Sequence, residues 1–139
     1  MPRLTNTQVI TRALREINVI NEAQTPTAEQ GTQALEKLNS LMEAWKEDSL
    51  DIGYFEQTST ADTCPIPDYA EGAVIHALAM EIAPQYGATI SGETIAKVQY
   101  YMRLLRRKII NENLDNTDMT HLPAGQGRWA GRYDIASDT

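Results

Sequence analysis

Residues 27–45 decide the fold class, and they read TAEQGTQALEKLNSLMEAW. Thr27 and Gln30 have the spacing of a capping box, in which each side chain bonds the backbone N–H of the other residue at the start of a helix. The apolar side chains behind them recur every three or four residues, at Ala34, Leu38, Leu41, Met42 and Trp45, with Leu35 beside them. This period predicts a long amphipathic helix with one buried stripe.

Three more helices are predicted around this one. The first begins after Thr5 or Asn6, and its buried stripe is Val9, Ile10, Ala13, Leu14 and Ile17. The third begins near Pro67-Asp68 and ends at Pro84 or Gly87. Its buried side is rich in small residues, at Ala70, Ala73, Val74, Ala77, Leu78 and Ile82.

The fourth helix is capped by Ser91 or Gly92 and runs to about Asn113. Its predicted stripe is Ile95, Val98, Met102, Leu105 and Ile109, with Tyr101 adjacent. The 139-residue chain is therefore predicted to be all-α. We expect an up-down bundle of about four helices over residues 1–114, followed by an extended tail over residues 115–139.

The connection from Asp48 to Pro67 has no helical period. It predicts an extended, strand-like arm followed by a loop, because Pro65 and Pro67 exclude a helix through that part. Connections of about 20 residues are long for a small domain, and we expect this one to serve a partner surface. Tyr54 and Phe55 are candidate subunit or partner contacts, although the sequence leaves open whether they belong to the core.

The tail is polar and is interrupted by proline and glycine, yet it carries apolar residues at intervals. These are Leu122, Trp129, Tyr133 and Ile135. Apolar anchors spaced along a flexible segment are typical of chains that become ordered when they bind a partner.

Charge argues against a free-standing DNA-binding domain. The formal net charge is −7, and residues 51–90 contain six acidic side chains and no Lys or Arg, whereas nucleic-acid binding draws on clustered positive charge. One basic cluster exists, at Arg103, Arg106, Arg107 and Lys108 in the last turns of the fourth helix. It complements the helix macrodipole, contacts an acidic neighbour subunit or partner, or contacts phosphate; these three alternatives stay open.

Motifs of catalysis are missing from the sequence. There is no phosphate-binding loop, no metal-ligand pattern and no nucleophile elbow, and the single cysteine, Cys64, excludes a disulfide within the chain. His76 and His121 lie far apart, and His76 is interpreted as a helix-surface or core-edge residue. We expect no enzyme activity, no cofactor and no membrane association, and synthesis in a reducing cytosol.

Four blocks of the sequence, taken in order, resemble a known family. They are residues 10–19 (ITRALREINV), residues 34–45 followed by 51–54 (DIGY), residues 78–86 (LAMEIAPQY), and residues 122–129 (LPAGQGRW). Together they resemble the head–tail adaptor family of short-tailed bacteriophages, the packaged-DNA stabilisation proteins of the P22 type. The Thr58–Pro67 loop and the short C-terminus depart from that pattern.

The resemblance implies a structural protein of the virion that is made in the host cytoplasm and located at the head–tail junction. It implies a homo-oligomeric ring of about twelve copies under the portal protein, which extends the DNA channel, helps to retain packaged DNA and attaches tail proteins of the nozzle or tailspike type. DNA would pass through the lumen without sequence-specific binding.

The resemblance also assigns the portal contact to the tail, at Leu122, Arg128, Trp129, Tyr133 and Ile135. The main alternative function is a small helical DNA-binding regulatory protein that uses the Arg103–Lys108 cluster. A lytic enzyme with an unidentified pair of carboxylates is a further alternative.

Overall fold

The computed structural model describes residues 3–115, and this part of the chain contains four α-helices and no strand. The helices are α1 (Asn6–Glu16), α2 (Ala28–Glu47), α3 (Glu71–Ile82) and α4 (Gly92–Asp115). Short 3-10 turns flank α3, at Asp68–Ala70 and Ala83–Tyr86. The predicted all-α class with four helices is confirmed.

Reciprocal side-chain caps start the first two helices. The Thr5 hydroxyl accepts from the Gln8 backbone N–H (3.2 Å), and the Gln8 side chain accepts from the Thr5 N–H (2.9 Å). Thr27 and Gln30 make the same pair at the start of α2, so the predicted capping box is confirmed. Each cap gives a partner to backbone donors that a helix end leaves unpaired, and its loss typically costs about 1 kcal/mol.

The core lies where α1, α2 and α3 meet. Helix α3 packs on both of the others and is buried on most of its circumference, as expected for a helix that is apolar nearly all round. Its buried residues are Ala73, Val74, Ile75, Ala77, Leu78, Ala79 and Ile82. The alanines let the neighbouring backbones approach closely, while Leu14 of α1 and Leu38 and Met42 of α2 fill the space between them.

Helix α3 ends at the proline and glycine from which its end was predicted. Pro84 lies in the 3-10 turn, and Gly87 adopts a left-handed conformation with φ of 62°. The N–H of Gly87 donates to the Pro84 carbonyl (3.2 Å), and the N–H of Ala88 donates to the Ala83 carbonyl (3.0 Å). These bonds satisfy carbonyls that the ended helix would otherwise leave free.

The connection between α2 and α3 differs from the strand-like arm and loop that the sequence predicted. Within the part of the chain that the structure describes, the segment forms a single isolated bridge, between Thr5 and Thr63. The segment runs across the start of α1, where Asn6 N–H donates to the Asp62 carbonyl (2.9 Å) and Cys64 N–H donates to the Leu4 carbonyl (2.8 Å). Its buried side chains are Leu50, Tyr54, Gln57, Cys64 and Ile66. The segment therefore packs most of its apolar residues, although not Phe55, into the core of its own chain.

Amide side chains hold this connection in place. The Asn39 carbonyl oxygen accepts from the Tyr54 hydroxyl (2.5 Å) and from the Gln57 backbone N–H (3.0 Å), while its amide donates to the Gln57 carbonyl (2.9 Å). The Asn6 amide, which is buried, donates to the Gln57 side chain (3.0 Å) and to the Ser59 carbonyl (2.8 Å). Such bonds replace the ladder that a strand would provide, so an irregular backbone can be buried.

Helix α4 begins as predicted, because the Ser91 hydroxyl accepts from the Thr94 N–H (3.1 Å). Its buried positions are Thr94, Leu105 and Ile109, with Val98, Tyr101 and Met102 half-buried. The inclusion of Ile95 in the buried stripe was wrong: its side chain is 39% exposed, and Thr94 takes the inward position at this end.

The chain divides into two units, residues 1–109 and residues 110–139. The first contains the three-helix core, the connection and most of α4. Of the second, the described residues are 110–115, which form the end of α4.

Candidate interaction surfaces

Helix α4 has a second partly apolar side, away from its buried stripe. Tyr100 is 54% exposed and Leu104 is 39% exposed, and the exposed Arg103 and Arg107 lie between and beside them. The spacing of three and four residues puts these four side chains on one side of the helix, which we call the outer face of α4. Tyr100 and Leu104 were not predicted as surface contacts, because α4 carries two apolar stripes and only one was assigned from the sequence.

The four basic residues of α4 do not act as one patch. Arg106 forms an ion pair with Asp48 (3.1 Å), and the Lys108 ammonium lies 5.7 Å from the centre of the Tyr69 ring. Within residues 3–115, Arg103 and Arg107 form no ion pair. Half of the predicted cluster is thus engaged within the chain, and the other half projects from the outer face.

A glycine and two rings set the position of α4 on α3. A Cβ atom on Gly72 would lie 2.7 Å from the Tyr101 ring, closer than carbon atoms approach, so only glycine lets Tyr101 lie there. The His76 ring stacks on Tyr101 with centroids 5.0 Å apart. His76 Nδ1 lies 2.7 Å from the Gly72 carbonyl, which can only accept, so Nδ1 carries the donated hydrogen.

Charged side chains connect α4 to α1 on the far side of the His76 ring from the Gly72 carbonyl. Glu16 lies 3.5 Å from both the Lys97 ammonium and His76 Nε2, and Lys97 also lies 3.6 Å from Glu93. The carboxylate of Glu16, followed by that of Glu93, raises the pKa of Lys97. The interpretation of His76 as a core-edge residue agrees with its half-buried position between these groups.

A shallow acidic surface is formed by α2, the end of α3 with the turn that follows it, and the connection. One depression is lined by Gln33, Glu36, Lys37, Ser40, Glu81, Pro84 and Gln85, and a second by Asn39, Ser40, Glu43, Lys46, Tyr54 and Glu56. They share Ser40, and we call them together the acidic groove. Four carboxylates against two ammonium groups leave it with a charge of −2. A hydrogen bond between Gln85 and Gln33 (2.5 Å) joins its two walls.

The two predicted contact residues of the connection have different surroundings. Tyr54 is 4% exposed and belongs to the core, which the sequence had left open, whereas Phe55 is 64% exposed. Burial, followed by the charges of Cys64 and Glu56, raises the pKa of Tyr54. Phe55 can therefore contact a partner, while Tyr54 supports the fold.

The predicted portal contacts Leu122, Arg128, Trp129, Tyr133 and Ile135 lie outside the described residues, as does His121.

Residues 3–115 hold no cluster of His, Cys, Asp and Glu side chains able to bind a metal ion. Cys64 is fully buried, and burial, followed by the charge of Glu71, raises the pKa of its thiol to about 12. A thiol with this pKa is protonated and unreactive near neutral pH. None of the helices in the described ranges is both long and apolar enough to span a membrane.

Comparison with known families gives a match over nearly the whole chain. The family of the P22 tail accessory factor matches residues 1–137. No curated protein matches the sequence significantly. The match includes all four helices and extends through the segment that carries the predicted tail anchors. The chain belongs to the P22 tail accessory factor family.

Proposed function

We propose that this chain is a head–tail adaptor of a short-tailed phage, located in the virion at the head–tail junction. Membership of the P22 tail accessory factor family makes it a phage tail-associated protein with a structural role. In the proposal, copies of the chain form a ring under the portal protein, extend the DNA channel, help to retain packaged DNA and attach later tail components.

The observation that carries the proposal is the extent of the family match, from residue 1 to residue 137. It includes the helical bundle and also the segment after α4, where Leu122, Trp129 and Tyr133 stand among polar residues and glycines. Apolar residues in such surroundings gain most when they bind a separate surface. We assign the portal contact to this segment, and Phe55 and the outer face of α4 remain for other partners.

The acidic balance of the chain supports a passive role toward DNA. With a net charge of −7, a ring of these subunits repels phosphate at its lumen and lets the duplex pass without sticking. The alternative of a DNA-binding regulator is weaker than the sequence suggested, because Arg106 and Lys108 are engaged within the chain. We also propose that the protein is not an enzyme.

Native mass spectrometry of the chain mixed with the portal ring of its own virus tests the proposal. We expect the full-length chain to add to the portal as a ring, and a variant ending at residue 114 to fail to add. A Trp129→Ala variant should bind the portal more weakly while its thermal stability is nearly unchanged. Absence of binding by the full-length chain would contradict the adaptor role.

A gel-shift titration across salt tests the alternative. We expect no shift of duplex DNA by the purified protein at physiological salt. Tight binding that falls steeply with salt would favour the regulatory function, since each phosphate contact adds to that slope.

A further inference from the structure

The outer face of α4 and the acidic groove are complementary surfaces of the same chain. We propose that the outer face of α4 on one copy packs into the acidic groove of the next copy, and that this contact joins the subunits of the ring. The inference deepens the proposed function and rests on it for the ring.

The outer face has the composition of an interface core. Tyrosine and arginine are enriched in protein interfaces because they combine apolar area with polar ends, and they dominate the binding energy there. Tyr100 and Leu104 supply the apolar area, and Arg103 and Arg107 supply two positive charges. Neither arginine is paired within residues 3–115, so a partner carboxylate has no internal competitor to displace.

The groove offers charge of the opposite sign. Its exposed carboxylates are Glu36, Glu43, Glu56 and Glu81, and Lys37 and Lys46 stand at its sides. Arginine binds carboxylates through two parallel hydrogen bonds, so Arg103 and Arg107 match such a surface better than they match a neutral one.

No residue is common to the outer face and the groove, which allows a head-to-tail contact between copies. When two different surfaces of one chain are complementary, each copy can bind one neighbour with each surface. Such head-to-tail contacts produce rings when the rotation closes, whereas a contact of one surface with itself ends at a dimer. The placement of the two surfaces on separate helices therefore suits a ring.

The outer face is also held firmly enough to act as an interface. Tyr101 lies against Gly72 and His76, and Leu105 is buried in the core. These contacts on the buried side of α4 hold in place the turns that carry Arg103 and Leu104. A surface that is already ordered loses little conformational entropy on binding.

Cysteine cross-linking tests the contact directly. Leu104→Cys and Ser40→Cys place one thiol on each surface, and a short bis-maleimide then joins neighbours, with and without the portal ring. We expect the double variant to give a ladder of dimers, trimers and longer oligomers. Cys64 is fully buried and gives no background, which the unaltered chain verifies.

Three controls make the result specific. Leu104→Cys alone should give no cross-linked dimer, and efficient dimers from it would overturn the proposal in favour of a two-fold contact. Arg12→Cys with Ser40→Cys pairs the groove with an exposed site on α1. This pair should give about tenfold less product than the Leu104 pair, which corresponds to a preference of about 1.4 kcal/mol for the proposed contact. A ladder no stronger than this control, with and without portal, would overturn the contact.

Charge reversal provides an independent test. In the cross-linking background, Arg103→Glu with Arg107→Glu should lower the cross-linked fraction roughly tenfold, since it puts like charges together. Adding Glu36→Arg with Glu81→Arg should restore it. The matched control, Arg3→Glu with Arg12→Glu, makes the same change in net charge and should leave the fraction unchanged. Equal loss in both reversed variants would overturn the proposal.

Failure of the contact and failure of the adaptor role give different results. Addition to the portal without the ladder would overturn this interface and leave the adaptor role standing. A ladder without addition to the portal would support the contact between copies and overturn the adaptor role.

Discussion

The connection from residue 48 to residue 67 and helix α4 differ in regularity and in which of their side chains enter the core. The connection has no repeating structure, yet Tyr54, Cys64 and Ile66 lie fully or almost fully inside the core. Helix α4, with 24 residues, is the longest of the helices within residues 3–115, yet among its described side chains only Thr94, Leu105 and Ile109 are buried. The regularity of the backbone therefore does not indicate which segments contribute side chains to the core of this protein.

The comparison also separates two kinds of stabilisation. The connection is fixed by hydrogen bonds from Asn6 and Asn39 to its backbone, which are costly to remove because they are partly buried. Helix α4 supplies its own backbone bonds and needs only a few contacts to stay on the core. We expect substitutions in the connection to destabilise the protein more than substitutions along α4.

The largest effect is expected from Asn39→Ala. It removes three hydrogen bonds and leaves the Tyr54 hydroxyl and Gln57 backbone groups without partners. The free energy of unfolding, measured by urea denaturation, should fall by about 3 kcal/mol. Ser40→Ala, at the exposed neighbouring position, should change the free energy of unfolding by less than about 0.5 kcal/mol. Similar values for the two variants would show that the connection does not depend on Asn39.

Gly72→Ala should cost about 2 kcal/mol, because its new methyl group meets the Tyr101 ring. Hydrogen exchange should rise in α4 more than in α1–α3. Much of the added cost should disappear in a Tyr101→Ala background, which a double-mutant cycle measures. Gly92→Ala, where the added Cβ meets nothing within 4 Å, is the matched control and should not destabilise. Full additivity of Gly72→Ala and Tyr101→Ala would contradict the close contact.

Alkaline pH should weaken the connection through Cys64. The ordinary pKa of the thiol is 9.0 and the folded protein raises it to about 12, so between these values the unfolded chain binds fewer protons than the folded one. Stability is then fully present below about pH 9 and falls as the pH rises, by roughly 1 kcal/mol at pH 10.

Urea denaturation at pH 8 and pH 10 measures this loss. Cys64→Ser should lower the baseline stability but remove most of the loss between these values, because its hydroxyl does not titrate. A loss of the same size in Cys64→Ser would assign the effect to other groups.

The smallest effect is expected from Arg106→Gln on α4. Its ion pair with Asp48 is exposed on both sides, so stability should change by less than about 0.5 kcal/mol. The difference should vanish in about 1 M salt, where the Debye length is about 3 Å. A loss comparable to that of Asn39→Ala would contradict the contrast between α4 and the connection.

Sequence patterns predicted the parts that depend on near neighbours in the chain. The caps at Thr5, Thr27 and Ser91, and the stop at Gly87, involve residues within a few positions of one another. Their geometry follows from local backbone chemistry, so a single sequence suffices to find them. The helical stripes of α1 and α2 follow in the same way from the period of 3.6 residues.

The candidate site was predicted less completely. The basic cluster was identified, but its division into engaged and outward-facing residues depends on Asp48 and Tyr69, which lie about 40 to 60 positions earlier in the chain. The period of α4 cannot say which of its two apolar stripes faces the core, because the sequence shows the helix and not its neighbour. The acidic groove is lined by residues of α2, the connection and the end of α3, and no local sequence motif predicts it.

By itself, the sequence determined the all-α class, the positions of the four helices and a resemblance to P22-type phage proteins, of which the family match supports the tail-related part. Tertiary structure alone decided that Tyr54 is core while Phe55 is exposed, that Thr94 replaces Ile95 at the buried side of α4, and which arginines face outward. The reason is physical: helix starts and stripes are set by interactions within one or two turns. Burial and charge pairing depend instead on which distant residues the packed chain brings together.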